Sequence, residues 1–307
     1  LNMATFLGNK LFGEYKLRNQ IRKNMEVWLN EAFVNAGAYT NHTYDTSGYL
    51  GYNEAQLTMA ENPTYTSGCV WESIHDNWVW ESGLSGPVGM DAPIFPSGLY
   101  IDDVFSPVGT SGTFGYFHVD YINGRIIFDN PITSGMIICP HSSRRVAIKS
   151  VHSDWFKYLV EFANQTNPAE SGSPLYPYYP NIVLPTVIME FGSREWRGQQ
   201  IGGNKIATDQ LILHVFATNE DDNDSIFDLL SSQERKGFTM INFNTAPSPM
   251  DALYNDRTTA YVNYDATVTN HSYHKIFINQ AIGREIPGNI TPAQSQIIFN
   301  LEVWDQM

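Results

Sequence analysis

His271-Ser-Tyr-His274 sets two imidazoles three residues apart, a spacing that suits a divalent metal when both rings lie on one helix face. The surrounding residues read as strand and turn, and neither an HExxH motif nor a cysteine pair accompanies them. Cys139-Pro-His141, with His152, has the residue types of a thiol nucleophile and its base. A buried, inert cysteine is the default meaning of such a residue. Asp91, Asp102-Asp103, Glu190 and Glu195 are candidates for the two carboxylates of glycoside hydrolysis, although any acidic, β-rich chain offers such pairs. CVWESIHDNWVWES (69–82) offers indole faces for sugar stacking; packing of Trp71, Trp78 and Trp80 in a core or interface is the simpler account. Asp221, Asp222 and Asp224 resemble calcium ligands but lack the glycine and terminal glutamate of an EF-hand loop. Acidic residues opening a helix are sufficient to explain them.

Nucleotide and hydrolase motifs are missing. GGNKIAT (202–208) puts Lys205 after an asparagine with no Ser or Thr beside it, so it is no P-loop. GTSGTFG (109–115) has the wrong spacing for a GxSxG elbow, and there is no GxGxxG. The expectation is a non-enzyme with no catalytic residue, no cofactor and no metal.

The bulk numbers narrow the class. Net charge is −14, and only 16% of residues are charged while 42% are hydrophobic. Sequence-independent DNA binding needs Lys and Arg to replace counterions, so an acidic chain is a poor DNA reader. It can still line a passage through which DNA slides. Low charge and many aromatics suit a surface covered by partners, and equally suit a β-rich protein with aromatic strands. Cys69 and Cys139 read as free thiols in a reducing cytoplasm. LNMATFLGNKLFGEYK lacks a signal-peptide pattern, and no stretch approaches the ~18 apolar residues of a membrane span.

Several elements are needed to position any of these residues. In FHVDYINGRIIFDNP (117–131), Asn123-Gly124 predicts a two-residue type I′ hairpin. Phe117, Val119, Tyr121, Ile126 and Phe128 fall on its apolar face. Residues 11–36 read as an amphipathic helix stopped by Gly37. That helix packs on its own domain or docks on a neighbouring subunit. Residues 135–139 and 144–149 read as a strand pair, and 154–163 as a short helix behind Ser153. The four prolines of 164–180 mark a linker. Beyond it come a strand at 181–191 with Pro185 favouring a sheet edge, a strand at 209–218, and a helix at 221–237. Strands follow at GFTMINF, AYVNYDATVT, KIFINQ and QIIFNLEVW. The predicted class is α+β, β-rich with mixed or antiparallel sheets and few helices. Three regions follow: 1–37, an N-terminal helix or arm; 38–165, a β-rich module; and 181–307, an α+β domain.

In that last region LPTVIMEFGSREW (184–196), DQLILHVFAT, SIFDLLSSQ and QIIFNLEVW resemble the tail-terminator family of long-tailed bacteriophages. Pro185, Leu211, His214, Val215, Phe216, Phe299 and Val303 carry the likeness, which covers about 125 residues. The family opens with a helix. If 11–36 is that helix, 38–180 is a large insertion; if 154–163 is, residues 1–150 are an added domain. The resemblance implies a virion protein assembled in the host cytoplasm. It implies a homo-oligomeric, usually hexameric ring that caps the tail tube. Its partners are then the tail tube protein, a tail sheath and the head–tail connector or neck proteins, with DNA passing through the lumen unbound. Docking is expected to use Phe12, Tyr15, Met25, Trp28, Trp196, Phe216 and Trp304. A head–tail adaptor, a decoration or baseplate protein, and a carbohydrate-binding or glycan-cleaving protein stay open as alternatives.

Overall fold

The computed structural model describes residues 17–44, 54–61, 65–108, 115–133, 135–151, 184–198, 205–246, 264–286 and 293–305. The chain opens with α1 (Leu17–Asn35), followed by β1 (Tyr39–His42), β2 (Gln56–Met59), β3 (Val70–Glu72), β4 (Gly98–Ile101) and β5 (Val104–Pro107). Next are β6 (Phe117–Asp120), β7 (Arg125–Phe128), β8 (Ile137–Ile138), β9 (His141–Arg144) and β10 (Ala147–Val151). The remainder comprises β11 (Thr186–Gly198), β12 (Lys205–Ala217), α2 (Glu220–Ser231), β13 (Gly237–Ile241), α3 (Tyr264–His271), β14 (Ser272–Glu285) and β15 (Ala293–Asp305). The fold is a β-rich α+β arrangement of mostly antiparallel sheets with few helices.

Two sheets carry most of it. A six-stranded sheet runs β10-β11-β12-β15-β14-β13, and only the β10–β11 pairing is parallel. Alternation along its long strands puts Leu211, Leu213 and Val215 of β12 and Ile297, Phe299, Leu301 and Val303 of β15 on one face. Helices α1 and α2 cover that face: Ile21, Met25, Leu29 and Phe33, with Ile226 and Leu230, enter the same core. Each such side chain contributes about 1.5–3 kcal/mol by leaving water. Helix α1 thus shares a core with strands more than 150 residues away, and residues 38–145 sit between it and β10. The opposite face stays half-exposed, with Gln210, Ile212, Ile298 and Asn300 along it.

The second sheet is antiparallel with the order β5-β4-β8-β2-β3-β7-β6, around a core of Trp71, Trp78, Trp80, Leu99, Phe117 and Ile126. Strands β1 and β9 pair beside it.

Local readings change in five places. Hairpin β6–β7 has the expected buried face, but its register pairs Asp120 with Arg125, so the loop has four residues, 121–124, and not two. Asp120 accepts hydrogen bonds from the Asn123 backbone N–H (3.2 Å) and side-chain amide (2.7 Å), an Asx arrangement that spreads the turn. The two-residue hairpin lies at β4–β5, where Asp102 (φ 47°) and Asp103 (φ 66°) both take the left-handed conformation of a type I′ turn. Residues 135–139 and 144–149 do not pair with each other: β8 joins β2 and β4, while β10 joins β11. Strand β11 is interior, between β10 and β12; Pro185 precedes it, and its carbonyl accepts the Ala147 N–H at 3.0 Å. Residues 264–271 are helical and not a strand, despite their Thr and Val. Helix α2 ends at Ser231, before Lys236 and Gly237, where Arg235 (φ 63°) turns the chain into β13. The expected helix at 154–163 and linker at 164–180 lie outside the described residues.

Asn24 is buried in α1 and hydrogen-bonds both backbone groups of Ile241: its amide donates to the carbonyl (2.9 Å) and its oxygen accepts the N–H (2.6 Å). Gln20 accepts from the Phe243 N–H at 3.0 Å. Asn24→Ala strands a buried donor and acceptor, so it is expected to cost about 3 kcal/mol in urea unfolding. Arg145→Ala, at an exposed site, should change stability by under about 0.5 kcal/mol.

Candidate functional site: an aromatic sheet end and a histidine cluster

Two places bring functional side chains together. The first is one end of the six-stranded sheet. Register pairs Trp196 with Ala207 and Ile206 with Trp304, so both indoles lie near that end but on opposite faces, Trp196 in line with the buried Ala207 and Val303 and Trp304 on the open face. Trp196 is 42% and Trp304 38% exposed, and Tyr273, at the start of β14, is 38% exposed. Trp304 packs near Phe277 at 6.1 Å between ring centroids and lines a groove of about 290 Å³ with Tyr273, His274 and Lys275. Arg194, doubly hydrogen-bonded to the buried Asp209, lies under Trp196 at 5.9 Å from the ring centroid.

The other expected docking residues are placed differently. Met25 is fully buried and belongs to the core between α1 and the sheet, so it has no surface for a partner. Phe216 is buried as well. Trp28 is partly buried and stacks on Phe238 at 5.1 Å, filling the space between α1 and β13. For Met25 and Trp28 the reason is that α1 spends its apolar stripe on its own sheet. Phe12 and Tyr15 lie outside the described residues.

The second place is a cluster that no sequence motif announced. His42 ends β1 and pairs in register with His141, which begins β9. His75 is brought in by the loop after β3, which is fixed from both sides. Its N–H donates to Ser73 Oγ (3.0 Å), and its carbonyl accepts from Trp78 Nε1 (2.7 Å). The same loop lies on the β6–β7 turn: Ser73 N–H donates to Gly124 O (2.9 Å), and Asn77 N–H to Ile122 O (3.0 Å). A Cβ on Gly124 (φ 60°) would sit 2.2 Å from the His75 carbonyl, so the glycine serves both the turn and this close approach.

The rings of His42 and His75 stack at 3.8 Å and 15°, and Trp78 stacks on His141 at 4.2 Å. His42 Nδ1 lies 3.0 Å from Glu54 Oε2, and its Nε2 lies 2.8 Å from Ser143 Oγ. His141 Nδ1 donates to the Cys139 carbonyl at 2.8 Å, which leaves its Nε2 as a bare buried lone pair. Burial, and then the nearby His42 and His75, push His141 down to about 3, against the opposing pull of the Cys139 carbonyl. Burial and then His42 lower His75 as well. Ligand atoms of His42, Glu54 and His75 all lie within 4.8 Å of one another.

The groups that sequence singled out do not converge. Cys139 is buried with its thiol facing the Gly98 carbonyl (3.8 Å), and burial pushes that thiol far above its ordinary range. His141 bonds the Cys139 carbonyl and not its sulfur. His152 lies outside the described residues. Asp102 accepts from the Met136 N–H (2.9 Å), and Asp103 accepts from the Tyr44 hydroxyl. Glu190 faces His214 at 2.9 Å, and a hydrogen bond from Arg197 holds Glu195 below the usual carboxylate range. The Asp91 carbonyl accepts the Tyr39 hydroxyl at 2.5 Å. His271 Nδ1 lies 3.2 Å from Thr245 Oγ1, at the end of α3. Asn219 caps α2 by accepting from the Asp222 N–H (2.7 Å), with Glu220, Asp221 and Asp222 at the favourable dipole end. No helix among the described residues is long and apolar enough to cross a membrane.

No protein-family model matches the chain, and no curated protein matches it.

The histidine cluster predicts acid sensitivity. His141 is depressed in the folded state, so the unfolded chain takes up the proton first as pH falls below about 6.5. Its contribution is complete above that value and is lost as pH falls towards about 3. His75 shifts in the same direction. In chelator-containing buffer, stability should fall between pH 7 and 5, with His141 supplying up to about 1.4 kcal/mol per pH unit. His141→Gln should unfold at lower urea at pH 7 but show a shallower slope.

Proposed function

We propose that this chain is a structural virion protein of a tailed bacteriophage that assembles into a homo-oligomeric, hexameric ring at the neck. There it terminates the tail tube and joins the tail to the head connector. The exposed Trp304 and Tyr273 on the open face at one end of a long sheet, with Trp196 on the opposite face of that end, carry this reading. Exposed aromatics at a sheet end are what buried interface centres are made of. The order of elements supports it too: an opening helix on the sheet, a strand after Pro185, a second long strand, a helix and a closing strand. This is the order that the tail-terminator resemblance implies, with 38–180 as the insertion after the helix. An acidic chain lets DNA pass without sticking.

The same exposed indoles favour a second reading, a glycan-binding protein that stacks sugars on Trp196 and Trp304. Other virion positions, such as a head–tail adaptor, decoration or baseplate protein, differ from the first reading in ring size and partner.

Electron microscopy and solution mass, with purified tail tubes present and absent, separate these readings. Closed rings of six with a central hole, alone or seated on tube ends, are the expected result; twelvefold rings mean an adaptor. A protein that stays monomeric, ignores tubes and binds glycans overturns the proposal. Trp196→Glu with Trp304→Glu should abolish assembly while leaving the subunit folded, at a cost of about 0.5–3 kcal/mol in urea unfolding for each substitution.

A further inference from the structure

We propose that His42, Glu54 and His75 form a binding site for a divalent transition-metal ion, zinc by its ligand chemistry, in the inserted module. The inference is independent of the ring. Two imidazole nitrogens and one carboxylate oxygen are a donor set that zinc takes, with a fourth position left for water.

Geometry supports it in three ways. A tetrahedral centre with bonds of about 2.0–2.1 Å sets its ligand atoms about 3.3 Å apart. The His42–Glu54 edge already measures 3.0 Å, and all three ligand atoms lie within 4.8 Å of one another. Next, His42 is oriented from behind. Its Nε2 lies 2.8 Å from Ser143 Oγ, as metal-bound imidazoles are usually held through their second nitrogen. Finally, His75 Nε2 is buried with no hydrogen-bond partner, so turning that ring from its stack towards a metal costs it no bond at this atom.

Access agrees. Glu54 is 60% exposed, which opens the site to solvent, while His42 is buried. The metal would tie the end of β1, the start of β2 and the loop after β3, where His42 and Glu54 already share a hydrogen bond and His42 stacks on His75.

The test is titration of the full chain with Zn²⁺ and with Co²⁺, after chelation and dialysis. The expected result is one ion per chain, tetrahedral Co²⁺ absorption, and a higher melting temperature with metal. His75→Gln and Glu54→Gln, both outside the core, should each weaken binding about 100-fold; Ser143→Ala should weaken it about 10-fold. His271→Gln with His274→Gln should leave it unchanged. Absence of stoichiometric binding overturns the site, as does binding that survives His75→Gln and Glu54→Gln or is lost with the His271/His274 pair.

Discussion

Asn24 closes an edge that the main sheet would otherwise leave open. Strand β13 is hydrogen-bonded to β14 on one side only. On the other side, the Asn24 side chain gives and takes the two bonds that a neighbouring strand would, at Ile241, and Gln20 continues the row at Phe243. An amide is the one side-chain group with the donor and acceptor of a peptide on one plane. Both residues are nearly solvent-free, so these bonds form where leaving a backbone group unpaired costs about 1–3 kcal/mol. The helix is thereby fixed in rotation as well as position. With Asn24 on β13, Ile21, Met25 and Leu29 must point into the sheet, and Arg18 reaches the Phe191 and Gly192 carbonyls (2.9 and 2.6 Å) at the bulge of β11. The apolar stripe and the amide row therefore specify the same docking.

The inserted module is held to this body by a second buried polar contact. Arg144, at the end of β9, pairs with Glu81 at 2.5 Å, lies over the Trp80 ring at 4.0 Å and points at the Asn30 carbonyl of α1 (3.5 Å). Both charges are withdrawn from water, and such a pair gives little net stability against its desolvation cost. Its value is directional: a planar guanidinium satisfies a carboxylate, an indole face and a helix carbonyl only in one orientation. Three residues later β10 enters the main sheet beside β11. The module is thus fixed where it leaves α1 and where it rejoins the sheet, and the histidine cluster hangs on the β1–β9 pair between those two points.

Much of the fold was legible because burial leaves a period in the sequence. The stripe of α1 gave a helix with one apolar side, the alternation in β6 and β7 gave a hairpin with a buried face, and β12 and β15 were legible as strands. What failed was information that only partners hold. Asn123-Gly124 is a strong turn dipeptide, yet Asp120 captures Asn123 and the loop widens, while Asp102-Asp103 turns tightly without glycine because aspartate tolerates the left-handed conformation. Whether a helix stripe or a strand face turns to its own sheet or to a neighbour has no local signature, so Met25 of α1 and Phe216 of β12 read as docking residues when they are buried. The histidine cluster was invisible for the same reason: His42, Glu54, His75 and His141 come from four separate segments, with no spacing to link them.

These constraints bear on how a ring would be built. Sheets can be extended across subunits through free strand edges, and edge pairing is the usual hazard of exposed strands. Here the β13 edge is occupied by α1 at Ile241 and Phe243, and the outer strands β5 and β6 of the second sheet have four residues each. Short edges template poorly. The long strands β11, β12 and β15 instead reach an end that bears Trp196 on one face and Trp304 on the other, with Tyr273 beside Trp304 where α3 passes into β14. Subunits meeting there would bury side chains and leave the ladders as they are. Such an interface depends on aromatic packing over a small area, and its strength follows the fit of those rings more than the surface covered. On the proposed reading, a tube end would supply the partner surface that a single subunit in solution lacks.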